Sequence, residues 1–170
     1  MKAESTVVSA PRPPSGLFRW LARLPMGLYR ARLGWLLGNR FLMLTHIGRK
    51  SGLPRDTVLE VVRHDRAADT YIVVAGFGEK SDWFRNVSQT PEVIVHVGRR
   101  KYPATASRLS SEEAMREFED YAQRHPAALR VLARLLGYPW DGTEAGYEKM
   151  AGLLPIVALR PRIVSEKLGS

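Results

Sequence analysis

Leu44-Thr-His-Ile-Gly-Arg-Lys-Ser-Gly-Leu-Pro-Arg55 runs from an apolar stretch into a turn bracketed by two glycines. Gly48 and Gly52 allow positive φ and close backbone approach to a ligand. Arg49, Lys50 and Arg55 bring charge and donors, and Ser51 brings a hydroxyl. A strand ending in such a loop suits an anion, above all a phosphate. The plain alternative is a hairpin with a basic tip, so the rest of the chain must decide between them.

Strand signals follow this loop. Phe41 to Ile47 is a short apolar run, and Thr57 to Arg63 is rich in β-branched residues. Tyr71 to Ala75 reads as buried on both faces. Val93 to Val97 alternates, and Gly98-Arg-Arg-Lys101 turns it into Tyr102 to Arg108. Pro155 to Leu159 closes the series. Six strands, mostly in hairpin order, predict a mainly β, α+β domain built as a small closed or half-open barrel. Ser81-Asp82 predicts the N-terminus of a short helix over Trp83 to Ser88. Ser110 and Glu113 have capping-box spacing and open a longer helix carrying Ala114, Phe118 and Tyr121 inward. A further helix is expected over Ala127 to Leu136.

The chain of 170 residues suffices for one domain and has no cysteine, which excludes disulfide and thiol chemistry. The net charge of +9 is unevenly spread: residues 1–50 carry +8, whereas the remaining 120 carry +1. Nucleic acid, an anionic membrane surface or a polyanionic cofactor could each use that excess. Residues 1–15 read as a disordered tail. From 16 to 38 the chain reads as an amphipathic helical segment, with Pro25 kinking or splitting it. Arg19, Arg23 and Arg30 share one side, while Leu17, Trp20, Leu21, Leu24, Leu28 and Trp35 share the other. That segment fits a membrane interface or the protein's own core equally well. The barrel is expected over 39–162, followed by a short tail over 163–170. No apolar signal segment opens the sequence, which implies a cytoplasmic protein, peripheral on the inner face of the membrane if the helix binds lipid.

Other chemistries find little support. His46, His64, His96 and His125 lack metal-ligand spacing. No Gly-x-Ser-x-Gly elbow is present. Gly76-Phe-Gly-Glu-Lys-Ser81 has Glu79 where a phosphate-binding loop needs glycine. Basic residues are not interleaved with aromatics on a strand platform, which argues against nucleic acid. Instead, Gly76-Phe77-Gly78 follows the most apolar strand, so a flat ring could lie against backbone there. Trp83 and Phe84 add aromatic surface, and Arg85 and Asn86 add donors.

Taken together, these pieces resemble the deazaflavin-dependent nitroreductase family, within the split β-barrel oxidoreductases. The matching residues are Leu44-Thr-x-x-Gly-Arg-Lys-Ser-Gly-x-x-Arg55, the strand into Ala75-Gly76, and Trp83-Phe-x-Asn86. Pro91-x-Val93, Ala106-x-Arg108 with Glu112-Glu113, and Pro155-Ile-Val complete the set. The resemblance implies a split β-barrel and coenzyme F-420, an 8-hydroxy-5-deazaflavin with a phosphate and an oligoglutamate tail. It implies Arg49, Lys50, Ser51 and Arg55 at the phosphate region. Asp56, Thr57, Val58, Leu59 and Glu60 would run along the ring system, which Val74, Ala75, Gly76 and Phe77 would border. Asp82, Trp83, Phe84, Arg85 and Asn86 would close the site, and Tyr147 would stand on the substrate side. The implied reaction is hydride transfer to a small electron-poor acceptor such as a quinone, enone or nitroaromatic. Backbone amides at Gly76–Gly78 are the first candidates for steadying charge on that acceptor. Relatives carry Asn-Pro where this chain has Thr57-Val58, which leaves the acceptor open. A barrel using FMN, or one binding a lipid or cofactor without turnover, remains the alternative, and such barrels could pair as homodimers through their sheets.

Overall fold

In the computed structural model, residues 40–135 and 142–162 are described. The expected 1–15 and 163–170 tails and the 16–38 amphipathic segment lie outside them. Six antiparallel strands close into a barrel. They are β1 (Phe41–Ile47), β2 (Pro54–Asp65), β3 (Thr70–Val74), β4 (Glu92–Val97), β5 (Arg100–Arg108) and β6 (Ile156–Pro161). The order around the barrel is β1-β2-β3-β6-β5-β4, and β1 closes it by pairing Leu44 with Val95. Helices α1 (Asp82–Gln89), α2 (Ser111–Arg124), α3 (Pro126–Leu135) and α4 (Glu144–Leu153) interrupt the strands.

The period of two in β1 and β4 places the interior. Leu42 and Leu44 are fully buried, and Val93, Val95 and Val97 on the facing strand are buried with them. Phe84 and Val87 of α1 join this cluster, so α1 plugs one end of the barrel. A second cluster forms outside the wall. Ile72, Ile156 and Ala158 meet Ala114, Phe118, Leu129 and Met150 from the helices. Strand β3 is therefore buried on both faces, as its unbroken apolar run implied.

The clearest departures from expectation are two strand starts and one helix. Strand β2 begins at Pro54 rather than Thr57, because the ladder continues to Ile47↔Pro54. A proline is tolerated as a first strand residue. Arg100 and Lys101 already belong to β5, leaving Gly98 (φ 56°) and Arg99 as the turn. Helix α4 has no counterpart in the expected elements. Gly146 and Gly152 weaken its propensity. The legible signal was Thr143, whose hydroxyl accepts from the Gly146 amide at 3.1 Å ahead of acidic Glu144. The capping box at Ser110 and Glu113 is formed in full.

The β2–β3 turn shows how local chemistry fixes a hairpin. Asp69 adopts φ 48° and its carboxylate receives Arg100 and His64. The Arg100 guanidinium, with His64 behind it, holds that carboxyl at about 2. A carboxyl depressed in the fold stabilises it above the unfolded value near 3.8 and loses that effect as pH falls through 2. Asp69→Asn, which tolerates the left-handed conformation, should lower Tm at pH 7 but match the parent near pH 2. Asp69→Ala should cost about 1 kcal/mol more at both pH values, through backbone strain. Thermal melts across that range check both outcomes.

Candidate functional site

Between the β1–β2 loop and α1 lies a cleft of about 590 Å³ at the plugged end of the barrel. The loop is a compact turn, closed by Gly48 N–H to Leu53 O (2.9 Å) and Gly52 N–H to Gly48 O (2.8 Å). Gly52 uses positive φ (66°), as expected. Gly48 serves in a different way: a Cβ there would stand 2.8 Å from Ser51 Oγ and 3.3 Å from Arg55 Nε, so those side chains would have to shift. It makes room for Arg55 to fold back over the turn, where its guanidinium reaches Ser51 Oγ at 3.4 Å.

The loop's three cations are not equivalent. Arg49 is held against α1: it pairs with Asp82 at 2.9 Å, and its backbone N–H and guanidinium both donate to Asn86 Oδ1 at 3.1 and 3.0 Å. Its charge is largely answered within the protein. Among the described residues, Lys50 and Arg55 have no carboxylate within ion-pair distance, and both line the cleft. They are the cations available to a ligand.

The Arg49 contacts also fix a histidine. Because Asn86 Oδ1 accepts two N–H groups, its Nδ2 faces His46 Nδ1 at 3.1 Å. An amide nitrogen only donates, so His46 Nδ1 must accept and the ring proton sits on Nε2. The network thus assigns a neutral imidazole. Burial agrees, since His46 is 4% exposed and desolvation lowers its pKa from the ordinary 6.5.

Of the residues expected at the site, Arg49, Lys50, Ser51, Arg55, Asp56, Thr57, Phe77, Asp82, Trp83 and Asn86 line this cleft together. Others do not. Leu59 points into the barrel core, and strand alternation turns Val58 and Glu60 to the outer face, where Glu60 meets Arg40 at 3.4 Å. Ala75 is fully buried inside the barrel, while Val74 packs beneath the helices. Gly76 does not line the cleft, although a Cβ there would meet open space. On α1, 100° per residue sends Phe84 into the core and leaves Arg85 exposed on another side. Tyr147 packs with the helical cluster on the far side of the β3–β6 wall, away from the cleft. His46 is the residue that motif reading passed over. Its signal was the alternation Leu42, Leu44, His46, which puts an imidazole on the inward face where β1 meets the loop.

A histidine kept neutral by burial binds fewer protons folded than unfolded, so stability should fall as pH drops below about 6.5. His96 is lowered too, by burial and then by Lys101, so it contributes in the same direction. His46→Gln should therefore flatten, without abolishing, the fall in denaturant midpoint between pH 6.5 and pH 5.

The model for the family described as F420H(2)-dependent quinone reductase matches residues 23–132. Two Mycobacterium tuberculosis proteins, from strains H37Rv and CDC 1551, bear that same description. Each is 30% identical over 112 residues, covering 61% of this chain and 69% of the relative. The solved structure described as F420-H2 Dependent Reductase (FDR-A) superposes with a TM-score of 0.50 at 22% identity, covering 72% of this chain and 96% of that one. A protein from Agrobacterium tumefaciens superposes with a TM-score of 0.50 at 18% identity, over 88% of this chain and 59% of its own. At those identities the two structures speak for the fold. The family match takes in the cationic loop, the cleft and α1, and on it the chain belongs to the F420H(2)-dependent quinone reductase family and is an F-420-dependent reductase.

Proposed function

We propose that the cleft between the β1–β2 loop and α1 holds coenzyme F-420 and that the acceptor it serves is a quinone. The supporting observation is the pairing of two unanswered cations, Lys50 and Arg55, with aromatic walls from Phe77 and Trp83 in one cleft. The residues fit the group. Phosphate and carboxylates of an acidic tail call for charged donors, and a planar ring calls for aromatic surface.

When bound, that cofactor supplies a hydride for an electron-poor carbonyl. The chain's own part is to bind, orient and exclude water. Lys50 and Arg55 would anchor the acidic end, with Ser51 steadying Arg55. Trp83 and Phe77 would cover the ring. Arg49 would hold the loop against α1 rather than meet the ligand with full charge. The Gly78 amide already donates to Ala75 O at 2.8 Å, so among the Gly76–Gly78 amides it is not free to steady charge on the acceptor. Tyr147 has no part in this reading.

The charge asymmetry supports a further element. The Arg19/Arg23/Arg30 face opposite a Leu/Trp face would bring the cleft to an anionic membrane, where lipid-soluble quinones reside. The arginines along this segment make it too charged to span a bilayer, so the attachment proposed is peripheral; no helix among the described residues is long and apolar enough to cross a membrane. Replacing all three arginines by glutamine in the full chain should abolish co-sedimentation with anionic vesicles; undiminished binding would remove this element.

Fluorescence titration with oxidised F-420 tests the cofactor reading. Lys50→Ala and Arg55→Ala should each weaken binding by about 1.5–3 kcal/mol, roughly ten- to a hundredfold in Kd. The parent's affinity should fall with added salt, because the anchoring cations are exposed. Unchanged affinity in both variants would refute the placement. Steady-state oxidation of reduced F-420 by menadione, compared with a nitroaromatic, tests the acceptor.

A further inference from the structure

Three large apolar side chains stand exposed among the described residues: Leu53, Phe77 and Ile94. Ile94 lies on the side wall of the barrel, in β4 opposite Thr45 of β1. The other two are at the end that holds the cleft. Leu53, 61% exposed, belongs to the β1–β2 loop, where every residue from Lys50 to Asp56 is exposed. It joins neither apolar cluster. Phe77, 38% exposed, lines the cleft just before α1 begins.

The charge around these two side chains is positive. Lys80 and Arg85 are exposed, and among the described residues neither has a carboxylate within ion-pair distance. Neither lines the cleft, so a ligand held there leaves them unanswered. Two of the acids at this end are already taken, Asp82 by Arg49 at 2.9 Å and Glu79 by Arg108 at 2.7 Å. Asp56, which accepts the Thr45 hydroxyl at 2.7 Å, and Glu92 remain without a cation. Lys50, Arg55, Lys80 and Arg85 outnumber them.

The far end of the barrel is basic as well. Arg66 on the β2–β3 turn, Arg99 on the β4–β5 turn and Lys101 are exposed there without a carboxylate partner among the described residues. No large apolar side chain of the described residues is exposed beside them. Cations alone draw a protein toward an anionic surface; exposed apolar side chains decide which face enters it.

We infer that the cleft end of the barrel is a docking surface for an anionic lipid bilayer. Leu53 and the exposed edge of Phe77 enter the interface, and Lys80 and Arg85 lie among the headgroups. This rests on the proposed membrane attachment and deepens it. The contact through Arg19, Arg23 and Arg30 ties the chain to lipid but does not by itself fix which end of the barrel faces it. Docked on Leu53 and Phe77, the cleft opens onto the bilayer, and a quinone with an apolar tail reaches it without crossing water.

The chain has no cysteine, so Leu53→Cys and Arg99→Cys each accept a single environment-sensitive fluorophore, one at the cleft end and one at the far end. With the full chain on vesicles of phosphatidylglycerol and phosphatidylcholine, the label at residue 53 should shift to shorter wavelength and be quenched by nitroxide-bearing lipid. The label at residue 99 should do neither. Without a label, Leu53→Ser should weaken vesicle binding roughly tenfold. Lys80→Gln and Arg85→Gln should each weaken it roughly fivefold, a loss that shrinks in high salt. All three variants should keep the parent's Kd for oxidised F-420 and its kcat/KM for soluble menadione, whereas Leu53→Ser should slow reduction of a long-tailed quinone embedded in the vesicles. A label at residue 53 that stays unchanged on vesicles that sediment the chain would overturn the inference. Equal responses from both labels would overturn it too, as would a parent chain that does not bind these vesicles. Failure of the cofactor reading shows separately: the parent would bind no F-420 while the label at residue 53 still entered lipid.

Discussion

Everything at the cleft depends on Arg49 reaching across from the β1–β2 loop to α1. That one side chain ties a loop between two strands to a helix that arrives more than thirty residues later in the chain. Its ion pair with Asp82 is exposed on the carboxylate side, and as an isolated surface pair it would stabilise by about 1 kcal/mol or less. The contribution comes from what it aligns. Two Arg49 N–H groups orient the Asn86 amide, and that amide sets the tautomer of His46 beneath it. Buried polar groups that satisfy one another select a single arrangement. Here they select the spacing between the loop's cations and the aromatic face of α1.

This division of labour explains why a loop with three cations offers two to a ligand. Arg49 is neutralised against the helix, Arg55 lies folded over Gly48, and Lys50 stands free at the rim. Gly48 is as much part of this as the cations, because any larger residue would press on Ser51 and Arg55 and shift them. The barrel supplies the rigid base. With β1 paired on both edges, the loop it carries has little freedom to drift.

The barrel was legible in the sequence because alternation in β4 and the apolar run in β3 report directly on which faces are buried. The cationic loop and the aromatic helix were legible as motifs. What could not be read was geometry between segments. Strand register decides that Val58 and Glu60 face outward, and a one-residue shift would have reversed them. Helical rotation decides that Phe84 and Arg85 leave the cleft that Trp83 and Asn86 line. Arg49 looked like a free cation because its partner, Asp82, lies in another element. His46 was obscured by a search for metal spacing, although its place in the Leu42, Leu44, His46 alternation marked it as inward. Helix α4 was obscured by Gly146 and Gly152, which lower its helix propensity although it packs on α2.

The most direct test of the Arg49 account is a double-mutant cycle between Arg49→Ala and Asn86→Ala, read as the Kd for oxidised F-420. If the two residues act as one latch, each single change should weaken binding by a similar factor, and the double variant should bind no worse than the weaker single. Losses that multiply in the double variant would show two independent contacts, and would contradict the account.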